Sequence, residues 1–355
     1  MPLDGMQFDH YRLLHLIGSG GMGEVYQGED IRIARQVAIK VIRTEATVSA
    51  GEQTPQETER LFHREMKAIT LLDHPHILPL YDFGEEKIEN TDFAYMVMPY
   101  RPEGSLADWL RKRGANEPLS HQDIAHIIAQ AADALQHAHD HQVVHQDVKP
   151  SNFLVRSLAG SPERPDLLLA DFGIAKLVTS TSAMSLNIRG TPIYMAPEQW
   201  EGKPVPATDQ YALSIMAYQL LAGRAPFSGR LEQIMHQHFY VQPQPPGSIN
   251  PRLSPALDAV ILRALAKKPE QRFPSISAFA HAFDQALRYA GDLQTTLAIS
   301  QEEALQGAQR TITLPSSRRI SIAIPADAHD GQVLRLPEQG EPYYDDGPRG
   351  RIDSR

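Results

Sequence analysis

Apolar residues in this chain change their spacing near Gly104, and that change limits the fold more than any other feature of the sequence. From Tyr11 to Ile42, short apolar runs such as Tyr11-Arg12-Leu13-Leu14 and Val37-Ala38-Ile39-Lys40-Val41 are broken by a glycine cluster and a charged turn, which predicts antiparallel strands. A polar stretch, 44–59, leads into Leu61-Phe62 and then Met66, Ile69 and Leu72, whose three- and four-residue spacing predicts an amphipathic helix. Strands are expected again at Ile77 to Phe83 and Phe93 to Met98. Beyond Gly104, Ile124, Ile127, Ile128, Ala131 and Leu135 line one face over several turns, and Ala207 to Ala222, Ala256 to Leu265 and Ile276 to Leu287 continue as helices. The fold class read from this is α+β with two lobes, a small antiparallel β lobe carrying one helix and a large, mainly helical lobe.

Composition excludes several classes. The chain has 355 residues and no cysteine, so disulfides and cysteine-held zinc are ruled out, in keeping with a reducing compartment; the cytoplasm is the default expectation. No apolar run approaches the ~18 residues that cross a bilayer, and the amino terminus lacks a basic-then-apolar leader pattern. A net charge of −9 argues against nucleic acid as a partner, because phosphates are bound by cationic surfaces.

Four local patterns carry chemistry. Gly18-Ser19-Gly20-Gly21-Met22-Gly23-Glu24-Val25 lies between two strand-like runs, where glycines let backbone amides approach phosphate oxygens. Alone it also fits a plain glycine hairpin; a dinucleotide fold would need a helix directly after it, and Glu24-Val25-Tyr26 is not helix-like. Lys40 closes an apolar strand and Glu65 follows on the expected helix: a cation to hold phosphates and a carboxylate to hold the cation, or, taken singly, two solvated positions. His145-Gln146-Asp147-Val148-Lys149-Pro150-Ser151-Asn152 and Asp171-Phe172-Gly173 offer two carboxylates and an amide, suited to one base and two oxygen ligands for magnesium. Either could be a polar turn if it stood alone. Gly190-Thr191-Pro192-Ile193-Tyr194-Met195-Ala196-Pro197-Glu198, Asp209 on a helix, and Arg272 complete the series.

Together, in this order, these groups resemble the Hanks-type (eukaryotic-like) protein kinases, closest in style to bacterial serine/threonine kinases, over residues 8–288. The resemblance implies a small lobe of about 8–98 and a large lobe of about 101–288, with ATP and magnesium as cofactors and manganese as an alternative metal. It implies that Ile17 and the loop Gly18 to Gly23 cover the nucleotide, that Val25, Ala38 and Leu154 flank adenine, and that Met98 precedes a hinge at Pro99 and Tyr100. Val25, Ala38 and Leu154 read equally well as core packing. Lys40 would hold phosphates with Glu65 as its partner, Asp147 would be the base, Lys149 would neutralise the transferred group, and Asn152 and Asp171 would hold the metal. Lys149, two residues after Asp147, and Gly190-Thr191 resemble serine/threonine rather than tyrosine kinases, with Thr191 expected to bond Asp147 and Lys149. Glu198, Asp209 and Arg272 are read as structural, the first and last as a buried ion pair. Thr179, Thr181 and Ser182, with Ser180 and Ser185, lie in the expected activation segment.

Gln146 departs from the arginine common before the catalytic aspartate in kinases controlled by their activation loop. A neutral amide cannot make the bidentate, charge-assisted contact that arginine makes with phosphate. Residues 156–166 form a Pro/Ser-containing insertion, and 289–317 is expected as a polar linker with helical tendency. Residues 318–351, including Ile320-Ser321-Ile322-Ala323-Ile324-Pro325 and Asp330-Gly331-Gln332-Val333-Leu334-Arg335-Leu336, resemble part of the carboxyl-terminal substrate-binding region of DnaJ-type chaperones and are expected as a small β segment. Three functions follow for comparison: an autophosphorylating kinase acting on protein serine and threonine, with a second copy as a candidate partner; a pseudokinase scaffold; and an interaction protein working through its tail.

Overall fold

In the 35–44 strand, alternation decides what faces the site: Val37, Ile39 and Val41 join Phe8, Tyr11, Leu13, Tyr26, Phe93, Tyr95 and Val97 in one apolar cluster, while the intervening Ala38, Lys40 and Ile42 take the opposite face. The computed structural model describes residues 3–20, 23–44, 63–64, 66–88, 91–114, 119–156, 164–172, 192–288, 293–314, 317–336, 339–340 and 352–354. Six strands form the small lobe: β1 (Gln7–Phe8), β2 (Tyr11–Gly20), β3 (Gly23–Asp30), β4 (Arg35–Thr44), β5 (Asp82–Ile88) and β6 (Thr91–Pro99). Their order is β1-β2-β3-β4-β6-β5, and every neighbouring pair is antiparallel. Each fully buried Ile or Phe in the outer cluster contributes about 1.5–3 kcal/mol relative to exposure. The expected helix is present at residues 63–64 and 66–70 (α1), and Met66, Ile69 and Leu72 bury toward the large lobe with Ile42, Ala94 and Met96.

One expected strand is partly corrected. Only from Asp82 onward does the 77–83 stretch join the sheet. Ile77 is bridged in parallel to Leu169 of the large lobe, with Leu78 N–H donating to the Leu169 carbonyl at 2.9 Å and Leu169 N–H to that of His76 at 2.8 Å. The apolar run was real, but its backbone partner lies in the other lobe.

The large lobe is built on α2 (Leu106–Arg113), α3 (His121–Asp140), α4 (Pro197–Trp200), α5 (Pro206–Ala222), α6 (Leu231–Tyr240), α7 (Pro255–Ala264) and α8 (Ile276–Arg288). Helix α3 starts at Ser120, whose Oγ accepts from Asp123 N–H while the Asp123 carboxylate receives the Ser120 N–H, a capping box that satisfies two otherwise orphaned donors. Helix α5 is buried on nearly every side, as expected of a central helix without an amphipathic pattern. The hairpin β7 (Phe153–Arg156) and β8 (Asp166–Leu169) lies under the small lobe.

Past the large lobe, the residues expected as a linker carry β9 (Leu293–Thr295), α9 (Gln301–Gln306) and β10 (Ala308–Thr313). Strand β10 pairs antiparallel with β11 (Arg319–Ile324), and β13 (Ile352–Ser354) sits between β12 (Leu334–Leu336) and β9. Ile320, Ile322, Leu314 and Ile352 bury together. The β element thus draws on residues on both sides of 318–351, because strands too short to bury one face need partners from outside that window. Residues 337–338 and 341–351, which carry part of the chaperone-like pattern, and 157–163 of the insertion lie outside the described residues.

Candidate active site

The interior face of the small sheet brings Lys40 to the cleft: it is 6% exposed and lies opposite Val25 on β3 and Met96 on β6. Its Nζ donates to Asp171 Oδ1 at 2.8 Å across the two lobes. Burial pushes the Asp171 carboxyl up, but the Lys40 ammonium, helped by Lys149, outweighs this and holds it below the usual carboxylate range. Glu65, the expected partner of Lys40, lies outside the described residues.

The glycine loop divides by role. A Cβ on Gly23, which has φ +121°, would lie 2.4 Å from the Val41 carbonyl oxygen, so only glycine fits there; this glycine serves the packing of β3 on β4. Gly20 has open space where a side chain would stand, and Gly18 would meet only Val25 at an ordinary 3.8 Å. Those two leave room for a ligand. Ile17 falls in a register irregularity of β2 between Leu16 and Gly18, and Ser19 pairs with Glu24 near the hairpin end; Gly21 and Met22 are outside the described residues. Ala38 lies opposite Met98, and Met98 and Leu154 pack against Leu78, Leu168 and Ala170 between the lobes. Tyr100 follows the end of β6 and is half-buried.

In the 145–152 segment, Asp147 is 7% exposed, and its Oδ2 accepts from Lys149 Nζ at 2.8 Å and from Asn152 Nδ2 at 2.9 Å. Asn152 Nδ2 also donates to the Asp147 carbonyl at 2.8 Å, so both amide hydrogens are spent on Asp147 and the Asn152 Oδ1 is turned away from it. The donor set on offer to a metal is one amide oxygen and the Asp171 carboxylate, which suits a hard divalent cation such as magnesium.

His145, fully buried, ties this segment to β8. Its Nδ1 accepts the Asp147 N–H at 3.2 Å, so the ring carries its hydrogen on Nε2, which donates to the Ala170 carbonyl at 2.9 Å. Its ring also packs at 4.8 Å on Phe172. Asp209 of α5, 0% exposed, accepts the backbone N–H groups of His145 (2.8 Å) and Gln146 (2.7 Å) and a contact from His139 Nε2 at 2.7 Å. Gln146 sits at φ +64°, a left-handed conformation unusual for a residue with a side chain, and its carbonyl accepts from Gln199 Nε2 at 2.7 Å. His139 and Gln199 carried no sequence signal, since nothing in their spacing marks them; His145 stood in the quoted motif without a role.

Glu198 and Arg272 form the expected ion pair, bidentate at 2.6 and 2.8 Å, and Arg272 donates further to the carbonyls of Ala266, Ala207 and Lys267. Thr179, Thr181, Ser182 and Thr191 lie outside the described residues, as do Gly173, Ser180 and Ser185.

The protein kinase domain family matches residues 11–283. The chain is 40% identical over 292 residues to the serine/threonine-protein kinase Pkn1 of Myxococcus xanthus, covering 81% of this chain and 39% of that protein. To PrkC, a serine/threonine-protein kinase of Bacillus subtilis, it is 35% identical over 266 residues, 74% of this chain and 38% of the relative. The crystal structure of the PknI kinase domain of Mycobacterium tuberculosis superposes with a TM-score of 0.62 at 30% identity, covering 80% of this chain and 98% of that one. The chain spans about two fifths of the length of the curated relatives it matches.

Proposed function

This chain belongs to the protein kinase family, and from that premise we propose that it transfers the γ-phosphoryl group of ATP to serine and threonine hydroxyls of proteins. The observation that carries the reading is the division of labour at Asp147: among the described residues Lys149 and Asn152 both bind Oδ2, and Oδ1 is the oxygen that accepts the proton of an acceptor hydroxyl. Lys149, held on the same carboxylate, neutralises charge on the transferred group, and Lys40 binds the α- and β-phosphates from the opposite lobe. Asn152 Oδ1 and Asp171 would hold magnesium, which when bound offsets phosphate charge and aligns the γ-phosphate. Catalysis in this arrangement is positioning and electrostatics, with a base within reach of the acceptor.

The backbone around Gln146 is fixed by Asp209 and Gln199, neither of which requires a phosphate. This supports activity without direct dependence on activation-loop phosphorylation, while autophosphorylation of that loop remains part of the proposal. Incubation with magnesium and ATP, followed by phosphosite mapping, tests the reading; phosphoserine and phosphothreonine are expected, and phosphotyrosine as the main product would sink it. Asp147→Asn is expected to abolish most turnover with ATP affinity nearly unchanged, because its phosphate and adenine contacts lie elsewhere; full turnover in that variant would remove Asp147 from the role of base.

A further inference from the structure

His238 lies near the end of α6, is 0% exposed, and with Ile234 makes the buried face of that helix. Its surroundings are not those of a histidine merely filling space. Nδ1 lies 2.9 Å from the hydroxyl of Tyr211 on α5, and the Phe227 ring meets the imidazole edge-on at 4.9 Å. Lys267 closes the same pocket, its Nζ over Phe227 at 4.6 Å and donating to the Gln237 carbonyl at 2.9 Å. Burial, with Lys267 adding, pushes the imidazole down to about 4, while the backbone of Pro192 and Ile193 pulls the other way. A ring kept unprotonated above that range carries one hydrogen. With the Tyr211 hydroxyl donating to Nδ1, that hydrogen is on Nε2. Nε2 is fully buried and, among the described residues, faces the Pro192 and Ile193 backbone without the geometry of a formed hydrogen bond, so its donor is only weakly satisfied there, an arrangement that core packing alone does not favour.

The turn it faces occupies a particular place. Pro192–Tyr194 is a single 3-10 turn, and Tyr194 Oη donates to Gln219 Oε1 on α5 at 2.6 Å. Five residues beyond Tyr194, Gln199 reaches the Gln146 carbonyl, one residue before Asp147. The 192–194 turn is thus linked through Gln199 to the backbone that carries Asp147.

We infer that His238 is a positioning residue for the acceptor polypeptide, its Nε2–H closing onto the Pro192–Ile193 backbone to fix that turn when the acceptor is bound. The inference rests on the protein kinase reading. It predicts an effect on the protein acceptor and none on the nucleotide.

The test uses the full chain, magnesium and ATP, and a degenerate serine/threonine peptide mixture from which the best-labelled peptide is taken for kinetics. His238→Asn keeps an acceptor near the Nδ1 position and removes the Nε2 donor; His238→Gln keeps an N–H near the Nε2 position; His238→Phe keeps ring volume without either group. The loss of one hydrogen bond corresponds to a rise of about 3- to 10-fold in peptide KM for the Asn and Phe variants. In both, ATP KM and kcat are expected to stay near wild type, and the Gln variant is expected to restore peptide KM. Peptide KM unchanged in the Asn and Phe variants, or ATP and peptide KM rising together in all three, would overturn the inference while wild-type transfer still upholds the kinase reading. Should the Asn variant not fold, the Phe and Gln pair makes the same comparison. If the wild-type chain labels no peptide, the kinase reading fails and this inference falls with it.

Discussion

Replacing Asp209 with alanine tests whether the geometry beside Asp147 is imposed from α5. The carboxylate satisfies two buried backbone donors, His145 N–H and Gln146 N–H, as well as the His139 ring. Each buried donor left without a partner costs about 1–3 kcal/mol, so the backbone pair alone gives about 4 kcal/mol at mid-range. Gln146 adds a second consequence: its left-handed conformation costs about 1–3 kcal/mol and persists only while its surroundings hold it. With one of its two ties gone, the segment is expected to relax and carry Asp147 out of line. Asp209→Ala should lower the melting temperature by about 8–16 °C, taking about 2–4 °C per kcal/mol for a unit of this size. It should also lower kcat at least about tenfold, the effect of roughly 1.4 kcal/mol on the barrier. Adding Gln146→Gly to Asp209→Ala should recover about 1 kcal/mol, since glycine takes φ +64° freely. Thermal unfolding followed by circular dichroism and steady-state kinetics on the folded fraction measure both. A melting point within about 2 °C of wild type, with kcat unchanged, would show that the 145–152 segment holds its shape without α5.

Glu198→Ala strands the Arg272 guanidinium, 3% exposed, and should destabilise the large lobe by about 3–5 kcal/mol, whereas replacing both members with apolar residues should cost much less; equal losses in chemical denaturation would refute the pairing argument. Lys267 is pushed down to about 8 by burial and by Arg272, so between about pH 8 and 10 the unfolded chain binds more protons and stability rises with pH. Above pH 10 the trend reverses, because burial pushes Tyr95 and Tyr194 up to about 12. Lys267→Met should flatten the rise between pH 8 and 10, and a variant with an unchanged slope would exclude Lys267 as its source. Dephosphorylating the chain, or substituting alanine at Thr179, Ser180, Thr181, Ser182 and Ser185, should alter turnover only a few-fold, since Gln146 offers no cation to a loop phosphate; a matched hundredfold loss in both would mean that another cation takes that part.

The sequence determined the class of this protein and which residues to look for in its cleft. The apolar run Val37-Ala38-Ile39 marked a strand reaching Lys40, though not which face Lys40 takes, and the order of the glycine loop, Asp147, Asn152 and Asp171 was enough to name the family. Those signals are local: they depend on backbone periodicity and on side chains a few residues apart. Tertiary structure decided what connects them. Ile77 has the look of a strand residue in the small lobe, yet pairs with Leu169; the linker expected at 289–317 supplies two strands to the tail sheets. Asp209 is 62 residues from Asp147 in sequence and His238 is 46 from Pro192, and no pattern along the chain records which buried donor a distant carboxylate will meet. Hydrogen-bond satisfaction in a packed interior is a property of three-dimensional neighbours: the same aspartate on the same helix would be an ordinary solvated side chain if α5 were rotated by a third of a turn.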